Sequence, residues 1–318
     1  MCKYALKHSV FFLEAAPSFS FYCPFRAPVK CAMMKGEWKR SVKHVKQPRN
    51  PRRLVVKVGT STLTRETGSL NLQNMEHLAR VLADLEGMGY QPVLVSSGAI
   101  GIGTKKLRLG ERPTELRMKQ AAAAVGQCRM MHIYDKLFAE YNRTVAQILL
   151  TGEDVESPVR SEHLHNTFEA LLELGVIPVV NENDSVSSAE IETGQCKVLG
   201  DNDTLSAIVA RVADADLLIL LTDIDGLYDA DPRLHPNARP IPLVTAIDDQ
   251  LLALAGGAGS KRGTGGMRTK LHAMQMTMES GIPAVIMEGS HPERLYDLFD
   301  GRPVGTLFDP SGAAAGTV

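Results

Sequence analysis

The chain has 318 residues, with 35 Lys and Arg against 36 Asp and Glu, a formal net charge of −1. Hydrophobic residues make up 44% and aromatics 5%, ordinary values for a globular protein long enough to bury a large core without staples. The charge balance argues against a general nucleic-acid or membrane-surface binder, and apolar runs such as 217–221 fall far short of the ~20 residues that span a bilayer.

Charge is unevenly spread. Residues 1–50 carry ten basic and two acidic residues, a balance of +8, which leaves 25 basic and 34 acidic residues, or −9, for 51–318. This leader reads as a basic, disordered N-terminal extension, or as sequence upstream of a start at Met33 or Met34. It is also acid-poor and Ser-containing like a transit peptide, but has no amphipathic stripe. Five cysteines between Cys2 and Cys196, with no CxxC pair, form neither a disulfide framework nor a zinc motif. They suit a reduced, cytoplasmic compartment.

From Leu54 the pattern alternates. Residues 54–58 form a short apolar run ending at Gly59 and read as a buried strand. Leu72, Met75, Ala79, Leu82 and Leu85 recur every three or four residues, a helix that stops near Gly87 and Gly89. A strand over 92–95 runs into Ser96-Ser97-Gly98, and an alanine-rich helix follows over 115–141. Then come a strand at 144–150, a helix at 166–174, a strand at 176–180 and a helix at 203–213. A strand at 217–221, a helix at 267–280 and a strand at 284–287 complete the series. This β-α order predicts one α/β domain over 51–318 with a mostly parallel sheet covered on both faces. Ligands of such sheets sit beyond the carboxyl ends of the strands, which directs attention to 57–62, 95–103, 181–203, 222–232 and 257–270.

Common motifs are missing. No Gly-Lys dipeptide exists for a Walker A loop, and Gly98, Gly101 and Gly103 run GxxGxG rather than GxGxxG. There is no HExxH or GxSxG, and Asp223-Ile-Asp225-Gly226 places its glycine too early for a calcium loop. The strand-end segments instead share small residues, hydroxyls and exposable N–H groups: Gly59-Thr60-Ser61, Ser96-Ser97-Gly98-Ala99 and Gly263-Thr264-Gly265-Gly266. The last opens a helix, whose first N–H groups and dipole favour anions. Any one of these is also an ordinary tight turn; three at the ends of one sheet point to a polyphosphate.

Two lysines fit the same picture. Lys57 interrupts an apolar strand, and Lys270 lies one turn into the helix after the glycines. Phosphoryl transfer is catalysed largely by positioning and charge neutralisation. Singly, Lys57 could snorkel at a strand edge and Lys270 could occupy a solvated helix face. Two acidic clusters, Asn181-Glu182-Asn183-Asp184 and Gly200-Asp201-Asn202-Asp203, supply counter-charges and amide donors, with Asp203 also placed like a helix cap.

Taken together, VKVGTSTLT (56–64), VSSGAIGIG (95–103), VVNEND (179–184), GDNDTLSA (200–207), LLTDIDGLYDADP (220–232) and GTGGMRTK (263–270) resemble the glutamate 5-kinase family of the amino acid kinase superfamily. The resemblance spans about 53–309. It implies a three-layer α/β/α sandwich and transfer of the ATP γ-phosphoryl group to the γ-carboxylate of L-glutamate, the first step of proline biosynthesis. It implies that Lys57 and Lys270 stabilise the moving phosphoryl, that Asp203 organises them, and that Ser97, Asp184 and Asn202 bind glutamate. Lys57, Thr222, Asp223 and the run Thr264, Gly265, Gly266, Met267, Arg268, Thr269 and Lys270 would contact ATP. Mg²⁺ would arrive with the nucleotide, with no separate metal site. L-Proline as feedback inhibitor, a homo-oligomer and glutamyl phosphate reductase as downstream partner are further implications, with no nucleic acid or membrane involved.

The sequence departs from the family in four places. The segment between Glu190 and Gly200 is longer, Arg268 stands where a small residue is common, a C-terminal PUA domain or fused reductase is absent, and the basic leader has no counterpart. Two other readings stay open at this level: another carboxylate or phosphate kinase of the superfamily, and an amino-acid-sensing protein on a kinase-derived scaffold.

Overall fold

The computed structural model describes residues 51–65, 69–187, 201–232, 234–254 and 266–315. The leader 1–50, expected to be disordered, and the whole 190–200 segment lie outside the described residues.

The central strand is β1 (Arg53–Val58), flanked in parallel by β2 (Gln91–Val95) and β5 (Leu217–Thr222). Outward from β2 lie β4 (Ile177–Glu182) and then β3 (Val145–Leu150). Outward from β5 lie β9 (Ala284–Glu288), β10 (Thr306–Phe308) and β8 (Leu243–Val244). All neighbours are parallel except β10 against β9. A separate two-stranded pair joins β6 (Leu227–Tyr228) to β7 (Pro240–Ile241).

The inner strands read as continuous apolar runs because both faces are covered. Leu54, Val56 and Val58 point to a core shared with α2 (Leu72–Gly87) and α4 (Leu116–Ala139), where Leu78, Leu82, Met130, Tyr134 and Phe138 are buried. Val55, Leu218 and Leu220 point to the opposite core. There they meet Phe168 of α6 (Pro158–Glu173), Leu205 and Ile208 of α7 (Asn202–Val212) and Leu271 and Met274 of α9 (Met267–Glu279). The expected three-layer α/β/α sandwich is therefore observed. Strand side chains alternate, so Lys57 shares the face of Val55 and is directed toward α7 and α9. Among the described residues no helix is long and apolar enough to cross a membrane.

The remaining helices are short: α1 (Thr60–Leu63), α3 (Ala99–Lys106), α5 (Gly152–Glu156), α8 (Asp249–Leu254) and α10 (Arg294–Phe299). Three differences from the sequence reading have physical causes. The helix expected over 166–174 begins at Pro158, with proline in its first turn and Ser157 as its cap; its exposed first half carries little apolar periodicity. The strands β6, β7, β8 and β10 are two or three residues long, too short to give a periodic signal. Residues 99–103, taken as a strand-end loop, begin α3, and Gly103 serves helix packing. A Cβ on Gly103 would lie 1.7 Å from Ala122 O, and one on Gly126 would lie 1.7 Å from Ala99 O. Backbones approach this closely only without side chains between them.

Candidate active site

The carboxyl ends of β1, β2, β4 and β5 converge with the first turns of α7 and α9, and buried polar side chains collect there. Asp201 is the N-cap of α7, its Oδ1 accepting from Thr204 N at 2.9 Å. Asp203 is therefore not the cap, as its position had suggested, and its side chain turns inward with 1% exposure. Its Oδ1 accepts from Lys57 Nζ at 2.5 Å, and its Oδ2 from Lys270 Nζ and Thr269 Oγ1, each at 3.2 Å. Lys57 is 7% and Lys270 8% exposed, so neither snorkels nor lies on a solvated face. Burial would raise the Asp203 pKa, but the adjacent Lys57 and Lys270 ammoniums outweigh it and hold the carboxyl below its ordinary range.

A second network is built on Asn202. Its Nδ2 lies 2.8 Å from Ser96 O, 2.8 Å from Ser97 Oγ and 3.1 Å from Asn181 Oδ1. A main-chain carbonyl only accepts, so Ser96 O fixes which way the Asn202 amide faces. That orientation propagates: Asn181 presents its oxygen to Asn202 and donates Nδ2 to Gln127 Oε1 at 3.0 Å. The chain ends at Gln127 Nε2, buried and with no hydrogen-bond partner among the described residues. Ser97 precedes Gly98, whose φ of 95° opens α3 in a left-handed conformation suited to glycine. Asp184 is half-buried in the turn after β4.

On the other flank, Thr222 closes β5, buried, and donates to Asp223 Oδ1 at 3.0 Å; Asp223 is exposed. Gly266 caps α9, and Met267, Arg268, Thr269 and Lys270 form its first turn. Arg268 is exposed there. The first N–H groups of any helix lack intrahelical partners, and here they lie on the same helix as Lys270. Thr264 and Gly265 lie outside the described residues.

The structure thus joins Lys57, Asp203 and Lys270 in one cluster, and Ser97 and Asn202 in another, with Asp203 and Asn202 adjacent on α7. Sequence reasoning did not single out Gln127, or Asn181 as an amide relay, and it named Ser96 only within a strand-end segment. Gln127 stands in an alanine-rich helix and leaves no local signal. Asn181 stood in the acidic cluster, and its 2% exposure was the missing information.

The sequence pattern of the amino acid kinase family matches residues 52–288. The chain belongs to the amino acid kinase family. Among curated relatives, it is 51% identical to a glutamate 5-kinase of Clostridium perfringens over 260 residues, 82% of this chain and 96% of that one. It is 52% identical to a glutamate 5-kinase of Symbiobacterium thermophilum over 264 residues, covering 83% and 98%. Solved structures of the same fold include an isopentenyl phosphate kinase from T. acidophilum (TM-score 0.56, 17% identity, 80% of this chain and 99% of that one). Another is the UMP kinase of Bacillus anthracis (TM-score 0.53, 17% identity, 82% and 97%). In this member of the amino acid kinase family, Lys57 and Lys270 reach one carboxylate from the N-terminal strand and the C-terminal half of the chain.

Proposed function

We propose that this amino acid kinase transfers the γ-phosphoryl group of ATP to the γ-carboxylate of L-glutamate, giving ADP and L-glutamyl 5-phosphate, the first step of proline biosynthesis. One observation carries the reading: two buried lysines from distant parts of the chain share the single carboxylate Asp203 beside the first turn of α9. The identity of about half to curated glutamate 5-kinases across nearly their whole length supports glutamate as the acceptor.

The chemistry follows from the charges. A glutamate γ-carboxylate has an ordinary pKa near 4.3 and is already ionised at neutral pH, so the nucleophile needs no general base. The barrier lies in bringing an anion to a polyphosphate and in the charge on the transferring group. Lys57 and Lys270 neutralise that charge from two sides, and Asp203 fixes their spacing before substrate arrives. Ser97, Asn202 and Asp184 hold the glutamate, with the Asn202 amide locked by Ser96 O and Asn181. Thr222, Asp223 and the segment Thr264–Lys270 hold ATP, Arg268 adding a cation at the helix start.

Mg²⁺ accompanies the nucleotide. A magnesium ion bound with nucleotide is carried mainly by phosphate oxygens and water and needs few protein carboxylates. The catalytic unit is residues 51–318, with the basic segment 1–50 outside it. The protein works in the cytoplasm as a homo-oligomer, is restrained by L-proline, and passes its labile acyl phosphate to glutamyl phosphate reductase.

The test is ADP release with Mg-ATP and L-glutamate, with hydroxylamine present to trap acyl phosphate and aspartate, acetylglutamate and UMP as alternative acceptors. Glutamate-dependent hydroxamate that falls at least ~100-fold in Lys57→Ala and in Lys270→Ala is the expected result. Faster turnover of another acceptor, or glutamate binding without turnover, would overturn it.

A further inference from the structure

Tyr134 lies in the middle of α4, fully buried in the core behind the sheet, with Phe138 next to it at a ring-centroid distance of 6.4 Å. A phenol in such surroundings is costly unless its hydroxyl is paired. The partner is Ser96 Oγ, 2.9 Å away and itself fully buried. Ser96 Oγ also lies 3.3 Å from Met130 Sδ, a weak acceptor, so two side chains of α4 meet the Ser96 hydroxyl.

Ser96 is consequently gripped from three elements. Its N–H donates to Val180 O of β4 at 2.9 Å, its carbonyl accepts from Asn202 Nδ2 of α7 at 2.8 Å, and its side chain is held by α4. The bonds to Val180 and Asn202 hold the Ser96 main chain, and Tyr134, with Met130 beside it, holds the side chain. The next residue is Ser97, whose hydroxyl shares the same Asn202 amide. Ser96 thus adjoins the Ser97–Asn202 pair both through the chain and through the shared amide.

We propose that Tyr134 is a substrate-positioning residue, which through Ser96 sets the place of the Ser97 hydroxyl and the Asn202 amide and so tunes affinity for the amino-acid acceptor. It touches neither substrate nor phosphate, and it rests on the kinase reading above. The sequence gives no hint of it, since Tyr134 falls on the apolar stripe of a long helix like any core residue.

Tyr134→Phe keeps the ring and removes only the hydroxyl. Loss of a buried hydrogen bond of ordinary strength corresponds to a change of about three- to tenfold, expected here in KM for L-glutamate, with kcat and KM for ATP within about twofold of wild type. Ser96→Ala removes the relay itself, so Tyr134→Phe should add nothing to the glutamate KM in that background. A uniform fall in thermal stability with the glutamate KM unmoved would overturn the proposal. So would an effect of Tyr134→Phe that persists in full beside Ser96→Ala. The same assays separate the two levels: wild-type protein without glutamate-dependent hydroxamate overturns the kinase reading and this role with it. An active wild type with an unaffected Tyr134→Phe overturns this role alone.

Discussion

Replacing Asp203 by Asn is the sharpest single perturbation of the site. The carboxylate oxygens lie 2.5 Å from Lys57 Nζ and 3.2 Å from Lys270 Nζ. At an effective dielectric of about 20, those separations correspond to gross attractions of ~7 and ~5 kcal/mol. Desolvation of three buried ions offsets much of this, so the intact cluster is worth little net stability. The variant is different: it loses the attraction while both ammoniums remain buried. Breaking a buried pair in this way costs about 3–5 kcal/mol, a fall of about 10 °C in melting temperature for a domain of this size. Urea and thermal unfolding of Asp203→Asn measure it. The double variant Asp203→Asn/Lys57→Met should recover part of the loss, because one uncompensated ammonium is gone. A single variant within ~1 kcal/mol of wild type, the level of an exposed ion pair, would refute the reasoning. A double variant no more stable than the single would refute it equally.

The same carboxylate predicts an acid limb. Because Lys57 and Lys270 outweigh burial and depress its native pKa, its contribution is present above the unfolded value of about 3.9 and is lost as pH falls through the native one. Melting temperatures below about pH 5 should fall less steeply in Asp203→Asn than in wild type. Gly126→Ala would put a methyl 1.7 Å from Ala99 O, prising α3 from α4; an overpacking loss of about 1–3 kcal/mol with a raised glutamate KM is the expected outcome, from calorimetry and kinetics. Asp201→Ala removes the cap of α7 and should lower unfolding free energy by about 1 kcal/mol in urea titrations.

Much of the fold was legible because its inner strands are buried on both faces and its helices are amphipathic. The runs 54–58 and 217–221 give β1 and β5 nearly residue for residue. A lysine inside the first of these runs was the strongest clue to the site, since burial of an ammonium demands a partner. What stayed hidden depends on three-dimensional direction. Asp201 and Asp203 are equally plausible caps on paper, and only the path of the backbone into α7 decides between them. Gln127 and Tyr134 sit in α4 at positions that read as ordinary core, and their polar ends are meaningful only because β4 and the Ser96 peptide arrive opposite them. Gly103, which the sequence placed in a strand-end loop, serves the contact with α4.

The position of β1 also bears on how the chain is made. Leu54 is registered with Leu217, 163 residues later in the sequence. At synthesis rates of about 5–20 residues per second, one ladder of β1 waits roughly 8–30 s on the ribosome before its partner strand emerges. For that interval Leu54, Val56 and Val58 border an open sheet edge, a template for stray pairing. Lys57 sits on that edge, and a charged residue there is a known deterrent to edge-to-edge association. The side chain proposed above to neutralise phosphate in the finished enzyme thus also stands at the open edge of the nascent one.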